Sequence, residues 1–200
     1  MEFEPACRFE PARHDVTAFD CGSDAQTNWL RRVAAVAHAA RTAVVYVVTP
    51  TGENRVVGYY ALAAASVAHA DAPERLAKGA GRSPIPVILL ARLGVDVTAQ
   101  GQGLGAALVK DAMIRAHQAS TSIGARALLI HAESDEARSF YEHLAESDSS
   151  PSDPLHLMML MTDIEAILGP AAVTESAGPA QGKARVSPGP AIRSASRDVG

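Results

Sequence analysis

Aromatic residues are scarce in this chain, 4% of 200 residues, and cysteine occurs twice, at Cys7 and Cys21. With so few rings, a core must be built mainly from Ala, Val, Leu and Ile, and the 48% hydrophobic content supplies them. Two isolated cysteines make neither a disulfide framework nor a zinc site, so no metal is expected. No apolar run is long enough to span a bilayer, and the acidic start lacks the basic opening of a secretion signal. A cytoplasmic protein with no membrane contact is therefore expected. An excess of basic charge is missing too. The formal charge is −4, and Lys183, Arg185, Arg193 and Arg197 near the end leave the remainder more acidic still. Nucleic-acid binders usually show the opposite sign, so contact with RNA would need a localised basic patch.

Glycine, by contrast, is concentrated where it can do chemistry. The run Gln100-Gly101-Gln102-Gly103-Leu104-Gly105 follows an apolar stretch, Val87 to Val95, and precedes the helix formers Ala106-Ala107-Leu108-Val109. A strand-to-helix turn of this kind aims several backbone N–H groups at one point, at the positive end of a helix dipole. Glycines let a polyanion approach without a Cβ in the way, so a phosphate or pyrophosphate is the expected guest. Gly101, Gly103 and Ala106 also fit the loose dinucleotide pattern G-x-G-x-x-A. That pattern wants the first strand and an acid about 20 residues on, whereas this loop is mid-chain and is followed at that distance by Ala125 and Arg126. No Gly-Lys-Ser/Thr follows, as a nucleotide triphosphatase loop would require. An ordinary glycine-rich turn is the remaining reading of the loop taken alone.

The rest of the chain reads as mixed α/β. Ser23 to Ala40 has helical spacing, with Ser23 or Asp24 able to cap it. Ala43 to Thr49 and Val56 to Ala65 are β-rich runs around the turn signal Pro50-Thr51-Gly52, which predicts a hairpin. Ala72 to Lys78 is a short helix or loop. The glycine loop opens a helix to about Ser120, followed by a strand at Ala125–His131, a helix at Asp135–His143 and a last strand at Leu155–Met161. Residues 1–168 are expected to form one domain. From Gly169 to Gly200 the composition of Ala, Gly, Pro and Ser offers too little apolar surface to offset ordering entropy, so a disordered tail is expected.

Gln-x-x-Gly-x-Gly after Leu90-Ala91-Arg92-Leu93-Gly94-Val95-Asp96 resembles the acetyl-CoA pyrophosphate loop of the GNAT acetyltransferases. Phe19-Asp20-Cys21-Gly22, Trp29-Leu30, Val57-Gly58-Tyr59-Tyr60, Gly124 to Ala132 and Phe140-Tyr141-Glu142 extend the match. Over about Phe9 to Ile164 the chain resembles the TacT-type GNAT toxins of bacterial toxin–antitoxin pairs. The resemblance implies a GNAT fold: a central, mostly antiparallel twisted sheet flanked by helices, with a splayed strand pair at the acetyl-CoA site. It further implies acetyl-CoA as cosubstrate, the α-amine of aminoacyl-tRNA as acceptor, a block of translation, a ribbon-helix-helix antitoxin as partner, and a homodimer.

Carried over by position, Leu93, Gly94 and Val95 would offer backbone groups to the thioester and pantetheine arm, and Gln100 through Gly105 would hold the pyrophosphate. Tyr141 would protonate the departing thiolate. Read without the resemblance, Phe140 and Tyr141 are an aromatic pair packed on the sheet. Arg31, Arg32, Arg75, Lys78, Arg82 and Arg92 are the candidate tRNA contacts. Arg92 stands out because a charge in an apolar strand needs a partner or ligand. Glu133, Asp135, Glu136, His69 and His131 are candidate bases, none singled out by the residues. An α-amine near pKa ~8 is also partly neutral without help. The pattern departs from the family after Leu144: where Gly-Phe is usual, this chain has Ala145-Glu146 and then Ser147-Asp148. That departure and the acidic balance keep two other readings open, a GNAT enzyme acting on a small-molecule or protein amine, and an acetyl-CoA-binding protein without turnover.

Overall fold

The computed structural model describes residues 2–174. Seven strands, β1 (Cys7–Arg8), β2 (Val44–Val48), β3 (Gly58–Val67), β4 (Ile85–Val95), β5 (Ala127–His131), β6 (Asp148–Ser149) and β7 (His156–Leu160), form one sheet in the order β1-β2-β3-β4-β5-β7-β6. Every neighbouring pair is antiparallel except β4 with β5. Helices α1 (Asp24–Arg32), α2 (Ala34–Ala39), α3 (Glu74–Ala77), α4 (Leu104–Ile123), α5 (Asp135–Leu144) and α6 (Met161–Thr174) complete the mixed α/β architecture.

Side-chain alternation divides the core between the two faces of the sheet. Tyr60, Leu62, Leu128 and Ile130 pack with Leu104, Leu108 and Met113 of α4 and with Tyr141 of α5. On the other face Tyr59 and Ala61 pack with Phe19, Leu30 and Ala34, from α1, α2 and the segment before them. Val87, Ala127, Leu129 and Met158 continue that face beneath Leu76 of α3.

The helix expected from Ser23 to Ala40 is two helices. Ser23 caps the first, its Oγ accepting from Gln26 N at 3.4 Å, but Val33 has φ −112° and breaks the ladder. The break lets Leu30 and Ala34 both reach the sheet while Val33 itself stays exposed. Within the short helix or loop expected from Ala72 to Lys78 lies the helix α3, which starts after Pro73. The two-residue strands β1 and β6 carry too little pattern to be read from sequence. Helix α6 runs past the expected domain end at residue 168 and is broken at Gly169, φ 70°. The tail expected from Gly169 overlaps that last part of α6, and its residues 175–200 lie outside the described residues.

Two irregularities in β4 shape the site. Its parallel pairing with β5 covers Ile88–Leu90 opposite Leu128–Ile130, so Ala91–Val95 runs on past the last paired residue and the two strands splay. At the same place the register with β3 jumps from Leu62↔Leu90 to Ala61↔Arg92, leaving Ala91 as the extra residue of a β-bulge.

Candidate active site

The splay opens a cleft of about 520 Å³ between the end of β4, the glycine loop, and the start of α5. Its floor is backbone. Asp96 N donates to Val57 O at 2.9 Å, which sets the phase of the β3–β4 ladder: Gly94 and Arg92 spend their peptide groups on β3, while Leu93 and Val95 turn theirs towards the cleft. Gly94 is required by packing rather than by conformation, since a Cβ there would lie 2.8 Å from the Tyr59 ring.

Asp96 shapes the exit from the strand. Its carboxylate accepts from Thr98 N at 3.0 Å and from Asp20 N at 3.0 Å, with Arg55 Nη1 at 3.9 Å. Burial pushes this carboxyl up, but the bonds from Thr98 and Asp20 outweigh it and hold the group below the ordinary carboxylate range. The chain then turns through Gln100, whose side-chain amide donates to Val95 O at 3.0 Å and to Cys21 O at 3.1 Å. Gly101 and Gly103 have φ of 72° and 79°, and Gly103 caps α4 in the left-handed conformation. Only glycine adopts such a bend freely. The first N–H groups of the 20-residue α4 consequently point into the bend. The Gln102 side-chain amide donates to Thr98 O at 3.2 Å, and this residue does not line the cleft.

Tyr141 comes from α5, whose N-cap Ser134 accepts from Ala137 N at 3.2 Å. Its ring is buried beside Phe140, centroids 5.3 Å apart at 64°. Burial, with a smaller effect from the Glu133 charge, pushes its phenol up to about 12. Tyr141 therefore packs on the sheet and also lines the cleft, protonated at neutral pH. Phe140 in turn covers Gly105, where a Cβ would come within 3.3 Å of the ring.

The other wall is built from side chains. Tyr59 Oη donates to Gln26 O at 2.8 Å, Gln26 Nε2 donates to Glu133 Oε1 at 2.6 Å, and Ser23 Oγ donates to Glu133 Oε2 at 3.2 Å. This chain ties α1 to the segment before α5 across the cleft mouth. Gln26, inconspicuous in the sequence, is the buried hinge of it. Trp29 stacks on Tyr59 at 5.9 Å and 11°, and the Arg92 guanidinium lies 5.8 Å from the Trp29 ring centre. The charge in the apolar strand is thus answered by an aromatic face at the cleft.

The remaining candidate tRNA contacts are spread more widely. Arg31 and Arg32 are exposed in the last turn of α1. Lys78 and Arg82 are exposed on either side of the Gly79-Ala80-Gly81 turn. Arg75 is engaged within the chain: Nη1 meets Glu146 at 3.3 Å and Asp148 at 3.1 Å, and Nη2 holds both Asp163 oxygens at 2.9 Å. This clamp explains how the chain accommodates Ala145-Glu146. Ala145 fills the buried position, and Glu146 turns outward to the arginine.

The comparisons with known proteins agree with this geometry. Residues 40–144 match the family model described as acetyltransferase (GNAT) domain. The chain is 50% identical over 155 residues to the tRNA-acetylating toxin of Mycobacterium tuberculosis, covering 78% of this chain and 91% of that one. The solved structure of AtaT complexed with acetyl-methionyl-tRNAfMet superposes with TM-score 0.76 at 27% identity, covering 84% of this chain and 100% of that one. A mutant AtaT toxin bound to the C-terminus of the antitoxin AtaR and acetyl-CoA gives TM-score 0.69 at 25% identity, covering 84% and 98%.

Proposed function

The chain belongs to the GNAT acetyltransferase family, and from that membership we propose that it transfers the acetyl group of acetyl-CoA to the α-amine of an aminoacyl-tRNA, acting as a toxin that blocks translation. The observation that carries the proposal is the cleft itself. It joins a glycine bend at the N-terminus of α4, a strand edge whose Leu93 and Val95 peptide groups turn away from β3, and a protonated phenol, beside a wall bearing Arg92. The fit to acetyl-CoA rests on Gly101 and Gly103, whose conformations leave the N-terminus of α4 open to a diphosphate.

When bound, acetyl-CoA supplies an activated thioester. Leu93 and Val95 would orient it through their backbone groups, and Gln100, Gly101, Gly103, Leu104 and Gly105 would hold the diphosphate end. Tyr141 would hand its proton to the departing sulfur: a phenol raised by burial keeps that proton until a stronger base is generated beside it. Arg92 would meet the acceptor end of the tRNA, with Arg31, Arg32, Lys78 and Arg82 as candidate phosphate contacts around it. Arg75 would join them only by leaving its carboxylates. We further propose a cytoplasmic setting, a ribbon-helix-helix antitoxin as partner and a homodimer. AtaT's complex with its antitoxin AtaR supports the partner class. Among the described residues no helix is long and apolar enough to cross a membrane.

Incubation with labelled acetyl-CoA and a pool of charged tRNA tests the proposal. Label recovered as N-acetyl-aminoacyl-tRNA is the expected result, and its absence would overturn it. Label on a small amine or a protein instead would favour the second reading, which the net acidity and the occupied Arg75 support.

A further inference from the structure

His131 ends β5 at the point where β5 parts from β4, and it lines the cleft with Arg92, Glu133 and Tyr141. Alternation along β5 puts it on the face of Ala127 and Leu129, beneath α3, opposite the face that carries Leu128, Ile130 and Tyr141. Arg92 and Gly94, with Trp29 and Tyr59 against them, belong to the same side as His131. The cleft therefore has a phenol on one side and an imidazole on the other. A ring from β7 supports the imidazole: His156 pairs with His131 across the strands and stacks on it at 3.9 Å and 21°. Asp153 Oδ2 lies 3.5 Å from His156 Nε2, on the far ring of the stack.

We propose that His131 is a catalytic residue, the base that accepts the proton of the acceptor amine, and that His156 and Asp153 position it. The inference rests on the acetyl-transfer reading above and adds a role to its acceptor side. The other candidates fit the role less well. Glu133 reaches the cleft, but Gln26 and Ser23 already occupy its oxygens. His69 Nε2 pairs with Ser83 O at 3.1 Å, away from the cleft. Asp135 and Glu136 are exposed in the first turn of α5.

The protons balance as follows. The acceptor ammonium loses one proton to an imidazole nitrogen of His131 and from there to solvent. The freed amine forms the N–C bond to the acetyl carbon as the C–S bond breaks. The second nitrogen proton follows the same path, while Tyr141 protonates the sulfur and is reprotonated from water. Net release is one proton per turnover. A base for this task has to be neutral at working pH. Partial burial, and then the neighbouring His156, hold His131 below the ordinary histidine range, while Asp153 pulls weakly the other way. The charged groups around the imidazole are Arg92 from β4, Glu133 beyond the end of β5, Asp153 before β7 and His156 on it.

The test pairs kinetics with a readout independent of turnover. Wild type, His131→Asn and His156→Asn are assayed from pH 5 to 9 with acetyl-CoA and charged tRNA, and the His131 ring is followed by NMR in the free protein. His131→Asn is expected to lower kcat/KM at neutral pH by about 10²-fold, to flatten the acid limb of the profile, and to leave coenzyme A affinity intact. His156→Asn should instead move both the acid limb and the NMR titration of His131 to higher pH, because the ring that disfavours its protonation is gone. A His131→Asn enzyme with activity within twofold of wild type and the same acid limb would overturn the proposal. If His131→Asn fails to fold, an unmoved limb in His156→Asn alongside a moved NMR titration would do the same. A wild type that transfers acetyl to a small amine but not to tRNA would overturn the tRNA reading and leave the His131 test to be read on that amine.

Discussion

The two walls of the cleft are made differently. The wall formed by β4, the glycine loop and α4 presents peptide groups, and its side chains serve to keep those groups in place. The wall formed by α1, the end of β5 and the Arg92 side chain presents Gln26, Arg92, His131 and Glu133, with Trp29 against Arg92, and their contacts set its shape. The first kind of wall suits a cosubstrate of fixed structure. The second is where one acceptor would be told from another. Damage to the first should therefore remove activity towards every acceptor, and damage to the second should change activity by degrees.

The largest expected effect comes from Gly103→Asp, which adds a side chain at φ 79° and a negative charge where a diphosphate would sit. Acetyl-CoA binding should fall below detection by calorimetry, and unchanged affinity would contradict the assignment of the loop. Tyr141→Phe removes the phenolic proton and keeps the ring. It should lower kcat by about 10²–10⁴-fold without changing coenzyme A affinity. Because burial pushes that phenol to about 12, the wild-type rate should show no fall through the ordinary tyrosine range near pH 10. A fall centred there would assign the proton to another group.

Asp96→Ala tests how far the backbone wall depends on its one buried carboxylate. Leaving the amides of Asp20 and Thr98 unpaired should cost about 2–3 kcal/mol, measured as a shift in urea midpoint at constant slope. The pH dependence has a definite sign. Its folded pKa is depressed, so its contribution is present above the unfolded value near 4 and is lost as pH falls through the lower folded value. The stability gap between variant and wild type should therefore be full at pH 7 and narrow as pH falls below about 4. The smallest effects are expected at two arginines, one on the second wall and one beyond it. Arg92→Gln should weaken tRNA binding and reduce its salt slope by about 1. Arg75→Gln should leave tRNA affinity within about twofold, its guanidinium being held already by Glu146, Asp148 and Asp163. If the two variants behave alike, the difference drawn between them fails.

How much of this could be read beforehand follows the same division. A glycine loop between an apolar strand and a run of helix formers is a local pattern, and the loop does lie between β4 and α4. The strands β2 to β5 and the long α4 announce themselves through composition over many residues. The second wall depends on long-range pairing. His131 meets His156 because β5 and β7 align in one register, and Gln26 meets Glu133 across more than a hundred residues. No window of sequence contains either pair. The break at Val33 and the clamp on Arg75 were hidden for a related reason, since both answer to packing demands from elements far along the chain.

The unpaired residue at Ala91 has a consequence of its own. Before it, odd-numbered β4 residues such as Val87 and Leu89 look towards α3; after it, the even-numbered Arg92 and Gly94 take that side, and Leu93 and Val95 move over to α4. One inserted position thus switches the parity of the strand midway. Removing it would swing the guanidinium into the oily layer under α4 and expose two aliphatic side chains at the mouth. At this point of the chain, length is a stricter requirement than identity: many small residues would serve at position 91, but a deletion there would exchange the two sides of the enzyme.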